Sequence, residues 1–447
     1  MKLSDHFSYK RLLKFTFPTI IMMIFTSIYC VVDGFFISNF AGTTPEQSQN
    51  AFEAVNFIYP FLLVLGSFGF MFGTGGAALI SKVFGEGDSK KANSIFSLVV
   101  YFSIIVSIVL AILGFIFIKP FCVMLGATGE LLTDSLRYGR ILLFAIPFFI
   151  IQYEFQCLFT AAEKPKLGLF ITLGAGFTNI IFDALFVWVL KLGLEGAAFA
   201  TALGQIVGSV IPLVYFALPN KSKLRLTKPQ IDIKALIKTC TNGSSELMSN
   251  ISMNIVSMLY SFQLIRLTVN EEGLAVYGVL MYVSMIFNAI YFGFTTGSSP
   301  IVSFNFGNKN NIELKNIFKK SVILILIFSA FMFIIGFFFA KPISYIYLSK
   351  NLNLIDMTIK AFRIFSISFL LSGFTIFASA FFTALNNGLI SMLISSLRSL
   401  VFYILSILIV PYFMGIDGVW WSIVIAEGLS FVTSLIFLIC FKKKYKY

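Results

Sequence analysis

Long apolar runs alternate with short polar stretches along the whole chain, and the length of the runs rather than any local periodicity decides what they form. The runs fall at 13–38, 51–80, 93–118, 137–160, 167–190, 196–218, 236–262, 273–300, 319–340, 359–383, 389–413 and 418–440. Each reaches the roughly 20 residues that an α-helix needs to cross a bilayer. The pattern predicts an all-α polytopic membrane protein with twelve transmembrane helices. Composition agrees: of 447 residues 58% are hydrophobic and 12% charged, against about 25% charged in a soluble domain. The first run is too long for a signal-peptide core and no cleavage site follows it, so it is expected to remain as a span.

Charge adds topology and removes several chemistries. The formal net charge is +13. With a cytoplasmic N-terminus, 23 of the 33 Lys and Arg fall inside: Lys2, Lys10, Arg11, Lys14, Lys82, Lys90, Lys91, Lys164, Lys166, Lys221 to Lys238, Lys309 to Lys320 and the terminal Lys442, Lys443, Lys444 and Lys446. Nine fall outside and Arg398 lies within a span. The bias places both termini in the cytoplasm. These charges are spread over both halves and form no recognisable nucleic-acid-binding pattern, so the expected partner is the bilayer with its anionic lipids. The single histidine, His6, excludes a His-ligated metal centre and a Ser-His-Asp hydrolase. Cys30, Cys122, Cys157, Cys240 and Cys440 form no CxxC pair.

A repeat organises the spans. Gly75, Ser81, Phe84, Gly85 and Phe96 recur 222 positions later as Gly297, Ser303, Phe306, Gly307 and Phe318. Lys119-Pro120 returns as Lys341-Pro342, and Gly193-Leu194-Glu195-Gly196 returns as Gly415-Ile416-Asp417-Gly418. Six spans per copy is an even number, so both copies cross in the same sense and form two lobes around a central cleft. The boundary is expected in the Pro- and Lys-containing stretch 220–234, giving lobes of residues 1–223 and 224–447.

Charged residues inside spans point to function, since each costs roughly 2.5–3.5 kcal/mol at the centre of a helix. The carboxylates so placed are Asp33, Glu53, Glu154, Asp183, Glu246 and Glu427. Glu53 sits at the outer edge, where water reaches it. Depth at about 1.5 Å per residue puts Asp33, Asn179 and Asp183 in the outer half, with Thr201 near the level of Asp183. Asn179 and Asp183 are four apart, hence on one helical face. No Lys, Arg or His lies deep in the spans of this half, since Lys14, Arg137 and Arg140 are at span ends. Two carboxyl groups without a base must take up protons or a cation, or stay permanently protonated. The all-oxygen set suits Na⁺ or H⁺ and offers no soft ligand for zinc or copper.

The stretch Asn179-Ile180-Ile181-Phe182-Asp183, followed by Gly196-Ala197-Ala198-Phe199-Ala200-Thr201, resembles the signature of the multidrug and toxic compound extrusion (MATE) family. Val31-Val32-Asp33-Gly34 resembles the acidic motif of that family's first helix, with Pro18 at the position of the proline that bends it. Gly85 and Gly307 resemble its paired F-G loop motifs. The resemblance covers both repeats. It implies an antiporter of the cell membrane in bacteria, working as a monomer without a cofactor and exporting small organic compounds. It also implies a cation site at Asp33, Asn179, Asp183 and Thr201, which would bind metal only if the coupling ion is Na⁺. The acidic residue that many bacterial members carry further along the seventh helix is replaced here by Glu246, early in that helix.

Glu246, Arg398 and Glu427 fall at one depth near the midplane, so a polar triad in the second lobe is expected, either as a static clamp or in coupling. Glu154 is expected to face an inner vestibule, and Trp420-Trp421 to anchor segment twelve at the interface. Two other functions compete. A lipid-linked precursor flippase would need several basic residues for pyrophosphate. A membrane transferase would need a long interfacial loop with a catalytic cluster.

Overall fold

The computed structural model of the protein describes residues 2–268, 272–348 and 354–447. Within these the chain is helical between short turns: α1 Tyr9–Phe40, α2 Pro45–Gly85, α3 Ser89–Met124, α4 Gly129–Ala161, α5 Pro165–Asp183, α6 Gly193–Ala217, α7 Ile233–Leu267, α8 Glu272–Gly307, α9 Asn311–Phe338, α10 Ala340–Leu348, α11 Ile355–Ala384, α12 Gly388–Ser396 and α13 Tyr403–Tyr445. π-helical turns Ala184–Val189 and Leu397–Phe402 extend α5 and α12. The helices overrun the apolar runs at both ends because capping residues lie beyond them. Thr44 accepts from Gln47 N ahead of Pro45, Asp88 accepts from Lys91 N, and Asn310 accepts from Glu313 N. Each satisfies an orphan amide in the first turn.

Ten stretches among the described residues are long and apolar enough to cross a membrane. The last, Gly388–Tyr445, is 58 residues long and holds two spans, because Gly415 breaks α13 with φ +58° and ψ −136°. The most polar span is α7, which carries Asn242, Ser244, Ser245, Asn250, Asn254 and Gln263. Twelve spans result, six in each lobe around a central cleft. The repeat reappears in the backbone: Gly193 and Gly415 both have positive φ, as do Gly87 and Lys309, and both pairs are 222 apart.

Packing crosses the midpoint of the chain. One apolar core draws on residues from Ile37 to Ala235. The other combines residues from Val256 onward with Leu3, Phe7, Leu12, Phe15 and Ile20. The first half of α1 therefore packs with the second lobe, against α8, while α7 packs against α2. Trp420, expected at the interface, is 1% exposed in this second core, where its apolar area is worth more than an interfacial position. The inter-lobe stretch is fastened to α3. Arg225 N donates to Asn93 Oδ1 at 2.7 Å, Thr227 N to Ser97 Oγ at 2.8 Å and Gln230 N to Ser94 Oγ at 3.0 Å.

At the end that carries both termini the lobes touch backbone to backbone. A Cβ at Gly85 would lie 2.1 Å from Phe304 O, and one at Gly307 would lie 2.1 Å from Lys82 O. The two repeat-related glycines thus let the ends of α2 and α8 cross without side chains between them. This basic mouth is closed.

Candidate functional site

The first lobe brings four widely spaced residues together by packing α1, α5 and α6. Phe25 of α1 lies against Phe177 of α5, ring centroids 5.3 Å apart. Gly204 of α6 abuts Ala175 O and Asn179 Cβ of α5, which allows the close approach. Asn179 Nδ2 then donates to Thr201 Oγ1 at 3.3 Å. The carboxyl group of Asp33 is an electrostatic neighbour of Asp183 and of Thr201. Asp183 ends α5, and the π turn that follows it is the kind of irregularity that often re-aims a side chain at a working site.

Asp183 is fully buried and Asn179 nearly so. No donor reaches Asp33 Oδ1, Asn179 Oδ1 or either carboxyl oxygen of Asp183. Two neighbouring acidic groups, with buried oxygens that nothing in the protein satisfies, call for a proton or a hard cation. Asp33, Asn179 and Thr201 line a cavity together with Tyr29, Tyr59 and Gln205, and none of its lining residues is basic. Its room for the centres of water-sized occupants is about 40 Å³, enough for an ion with one or two waters and too little for a drug-sized molecule. Among the described residues no group of three or more His, Cys, Asp or Glu is placed to hold a metal ion.

Sequence reading missed the cavity's tyrosines and Gln205. The repeat contained a signal for one of them, since Gln205 and Glu427 are 222 positions apart.

In the second lobe Arg398 and Glu427 meet. Arg398 Nε donates to Oε1 at 3.0 Å and Oε2 at 3.2 Å, and Nη2 donates to Oε1 at 2.8 Å. Tyr403 Oη donates to the same Oε1 at 2.7 Å. Glu427 is 1% exposed and the Arg398 side chain 14%, so this is a largely buried, bidentate pair. Glu246 is in electrostatic range of Arg398, but among the described residues no ion pair within 4 Å joins them. The structure thus shows a pair capped by a tyrosine, with Glu246 partly exposed beside it. Arg398 sits in the π turn after α12, and its partner Glu427 lies on α13.

Glu154 does not face a vestibule. It is fully buried between α4 and α3, where Ser103 donates to Oε2 and Oε1 has no partner. Glu53 is exposed and accepts from Gln49 at 3.3 Å. Pro18 lies inside α1, which is helical on both sides of it.

A model of the protein family MatE matches residues 18–185 and again residues 247–408. The chain belongs to this family. The two matched segments fall one in each repeat, and the family's members are transporters rather than enzymes. Curated relatives of this MatE protein include "Multidrug export protein MepA" of Staphylococcus saprophyticus, 23% identical over 432 residues that cover 96% of this chain and 93% of the relative. The protein of the same name from Staphylococcus aureus strain MRSA252 is 22% identical over the same shares. Two solved structures share the fold at a TM-score of 0.91 and 20% identity. One is described as the outward-facing conformation of a multidrug resistance MATE family transporter, with 99% of this chain and 97% of that one covered. The other is a transporter from Pyrococcus furiosus whose binding pocket is described as reversed in polarity, with 99% and 98% covered.

Proposed function

We propose that this MATE transporter is a cation-coupled antiporter that exports small organic, cationic amphipathic compounds by alternating access. Asp33 and Asp183, with Asn179 and Thr201, take up H⁺ or Na⁺ from the outer side, and inward release resets the carrier. The observation that carries this reading is the pair of neighbouring carboxyl groups, Asp33 and Asp183, with unsatisfied buried oxygens beside a cavity whose lining holds no base. Bare, the pair would repel and be poorly solvated. With one proton or Na⁺ bound the pair carries a single charge, and with two it is neutral, so occupancy decides how the three helices pack. An ion drives the cycle only if it binds the two states differently, and a site built from α1, α5 and α6 meets that need because α1 also packs on the second lobe.

The names of the curated relatives support an export role. The basic end is the cytoplasmic one by the charge bias, so the state described here is closed inward. A flippase for a pyrophosphate-linked lipid is disfavoured, because Arg398, the one base near the middle of a span, is already held on two atoms by Glu427. Partners are thus the bilayer of a bacterial cell membrane and small organic substrates, with the monomer as working unit.

The test is efflux of fluorescent organic cations from proteoliposomes, driven separately by Na⁺ and pH gradients. Asp33→Asn and Asp183→Asn should each remain folded in the membrane yet lose gradient-driven efflux, because an amide cannot cycle between charged and neutral forms. Wild-type rates under both gradients in either variant would remove that residue from the coupling site.

A further inference from the structure

The segment before α1 runs across the closed basic mouth and is fastened to both lobes. It begins with a turn in which Lys2 N donates to Asp5 Oδ2 at 3.0 Å and Asp5 N to Lys2 O at 3.1 Å. Leu3 N, just inside this turn, donates at 2.8 Å to Oε1 of Glu163. Glu163 belongs to the first lobe, in the tight connection between α4 and α5, where its φ of +59° marks a sharp turn. Lys223 of the inter-lobe stretch holds the same oxygen at 3.1 Å.

Four residues further on the segment is tied to α9 of the second lobe. Phe7 N donates to Glu313 Oε1 at 2.9 Å, and His6 Nδ1 lies 2.6 Å from Oε2. Phe7 O accepts from Asn316 Nδ2 at 3.1 Å and from Lys320 Nζ at 2.6 Å. Glu313 is placed for this by its position in the first turn of α9, where the helix dipole favours a carboxylate. Leu3 is 2% exposed and Phe7 0%, both within the second lobe's core, and the Phe7 ring meets Phe15 edge-on at 5.9 Å. A terminal segment that buries two apolar side chains and makes charge-assisted hydrogen bonds at both ends is not a frayed tail.

We propose that residues 2–7 form a strap that holds the basic mouth shut and sets the balance between its closed and open states. The strap and the Gly85–Gly307 crossing lie on the same side of the molecule, so parting the lobes there carries Glu163 away from Glu313. One end must let go. The second-lobe end has four hydrogen-bond contacts, one charged carboxylate and the buried Phe7. The first-lobe end rests on the single Leu3–Glu163 bond. The strap therefore releases from Glu163 and travels with α9. Its presence raises the free energy of the open mouth without touching the cation site, so coupling is preserved while the population of states shifts.

This inference goes beyond the proposed coupling and needs only that the lobes part at the basic end. The experiment uses the full chain with its five cysteines replaced, reconstituted in lipid and spin-labelled at Lys166→Cys of the first lobe and Lys309→Cys of the second, both exposed. Pulsed electron resonance then reads the distance across the mouth. In Glu163→Ala, checked as folded by thermal melting, the ratio of open to closed mouths should rise about tenfold, the scale of one lost charge-assisted hydrogen bond. Deletion of residues 2–7 should do the same, and Glu313→Ala, which loosens the anchor that stays attached, should give a smaller rise. As an independent check, Leu3→Cys with Glu163→Cys, where the two chains are already adjacent, should form a disulfide that removes the open population and arrests transport until reduced. An unchanged distance distribution in the folded Glu313→Ala and Glu163→Ala variants, while wild type still shows two distances, would overturn the strap and leave alternating access standing. A single distance in every variant and condition would overturn both.

Discussion

Arg398 and Glu427 show how much a buried residue depends on its partner. Glu427 is held away from water and Arg398 largely so, and their attraction compensates only because the geometry is bidentate and Tyr403 takes up a further lone pair. Arg398→Met leaves Glu427 buried without a counter-ion and should destabilise the protein by about 3–5 kcal/mol. Adding Glu427→Gln should recover most of that loss. Thermal unfolding in detergent around the double-mutant cycle measures it, and additive effects would mean that the pair contributes no coupling. Adding Glu246→Gln instead should recover little, because Glu246 is near Arg398 without being bonded to it. The same reasoning makes Asp33 and Asp183 different in kind. They have no basic partner to lose, so their amide variants should retain stability and lose coupling.

Among the elements, the glycines at the ends of helices decide how the lobes meet. Gly415 takes φ +58° and ψ −136°, a region that side chains other than hydrogen rarely enter. Gly415→Ala should destabilise the hinge between the last two spans by about 1–3 kcal/mol, read as a lower melting temperature. Gly85→Val would act by a different route, because its backbone is not strained but its face is filled by Phe304 O. The valine would wedge α2 from α8 and disfavour the closed mouth. In the labelled protein the open population should rise, and a closed distance unchanged from wild type would show that the crossing is not the closing contact.

For the whole molecule, the closed basic mouth fixes which side chains face each other across the lobes. Lys82 Nζ lies 6.0 Å from the centroid of the Phe306 ring on the opposite lobe. In a background with Cys30, Cys122, Cys157, Cys240 and Cys440 replaced, Lys82→Cys with Phe306→Cys should be joined by a short bifunctional thiol reagent, and transport should stop. Ser81 and Ser303 are the less useful pair, since Ser303 Oγ donates to Ala384 O at 2.8 Å within its own lobe. Crosslinking that leaves transport intact would argue for a bundle whose lobes do not move at this end.

The sequence by itself determined the number of spans, their sense of crossing and the division into two repeats, because hydrophobic length and the 222-residue offset are properties of the chain that any fold in lipid must respect. It also led to the expectation that Asp33, Asn179 and Asp183 lie in the outer half with Thr201 near the level of Asp183, since helix rise converts position directly into height. Rotation about each helix axis and the choice of neighbour were decided only by packing. For that reason Glu154, similar in depth and chemistry to a vestibule residue, turned instead toward Ser103, and Trp420 entered the core. Arg398 found Glu427 and Tyr403 but not Glu246, because Glu427 on α13 and Tyr403 pack closest to it. The passage of the first half of α1 into the second lobe's core, and with it the route of residues 2–7 across the mouth, has no trace in hydropathy. Two apolar helices fit many partners equally well in sequence, and only the small residues at particular crossings, such as Gly85 and Gly307, select among them once the helices are in contact.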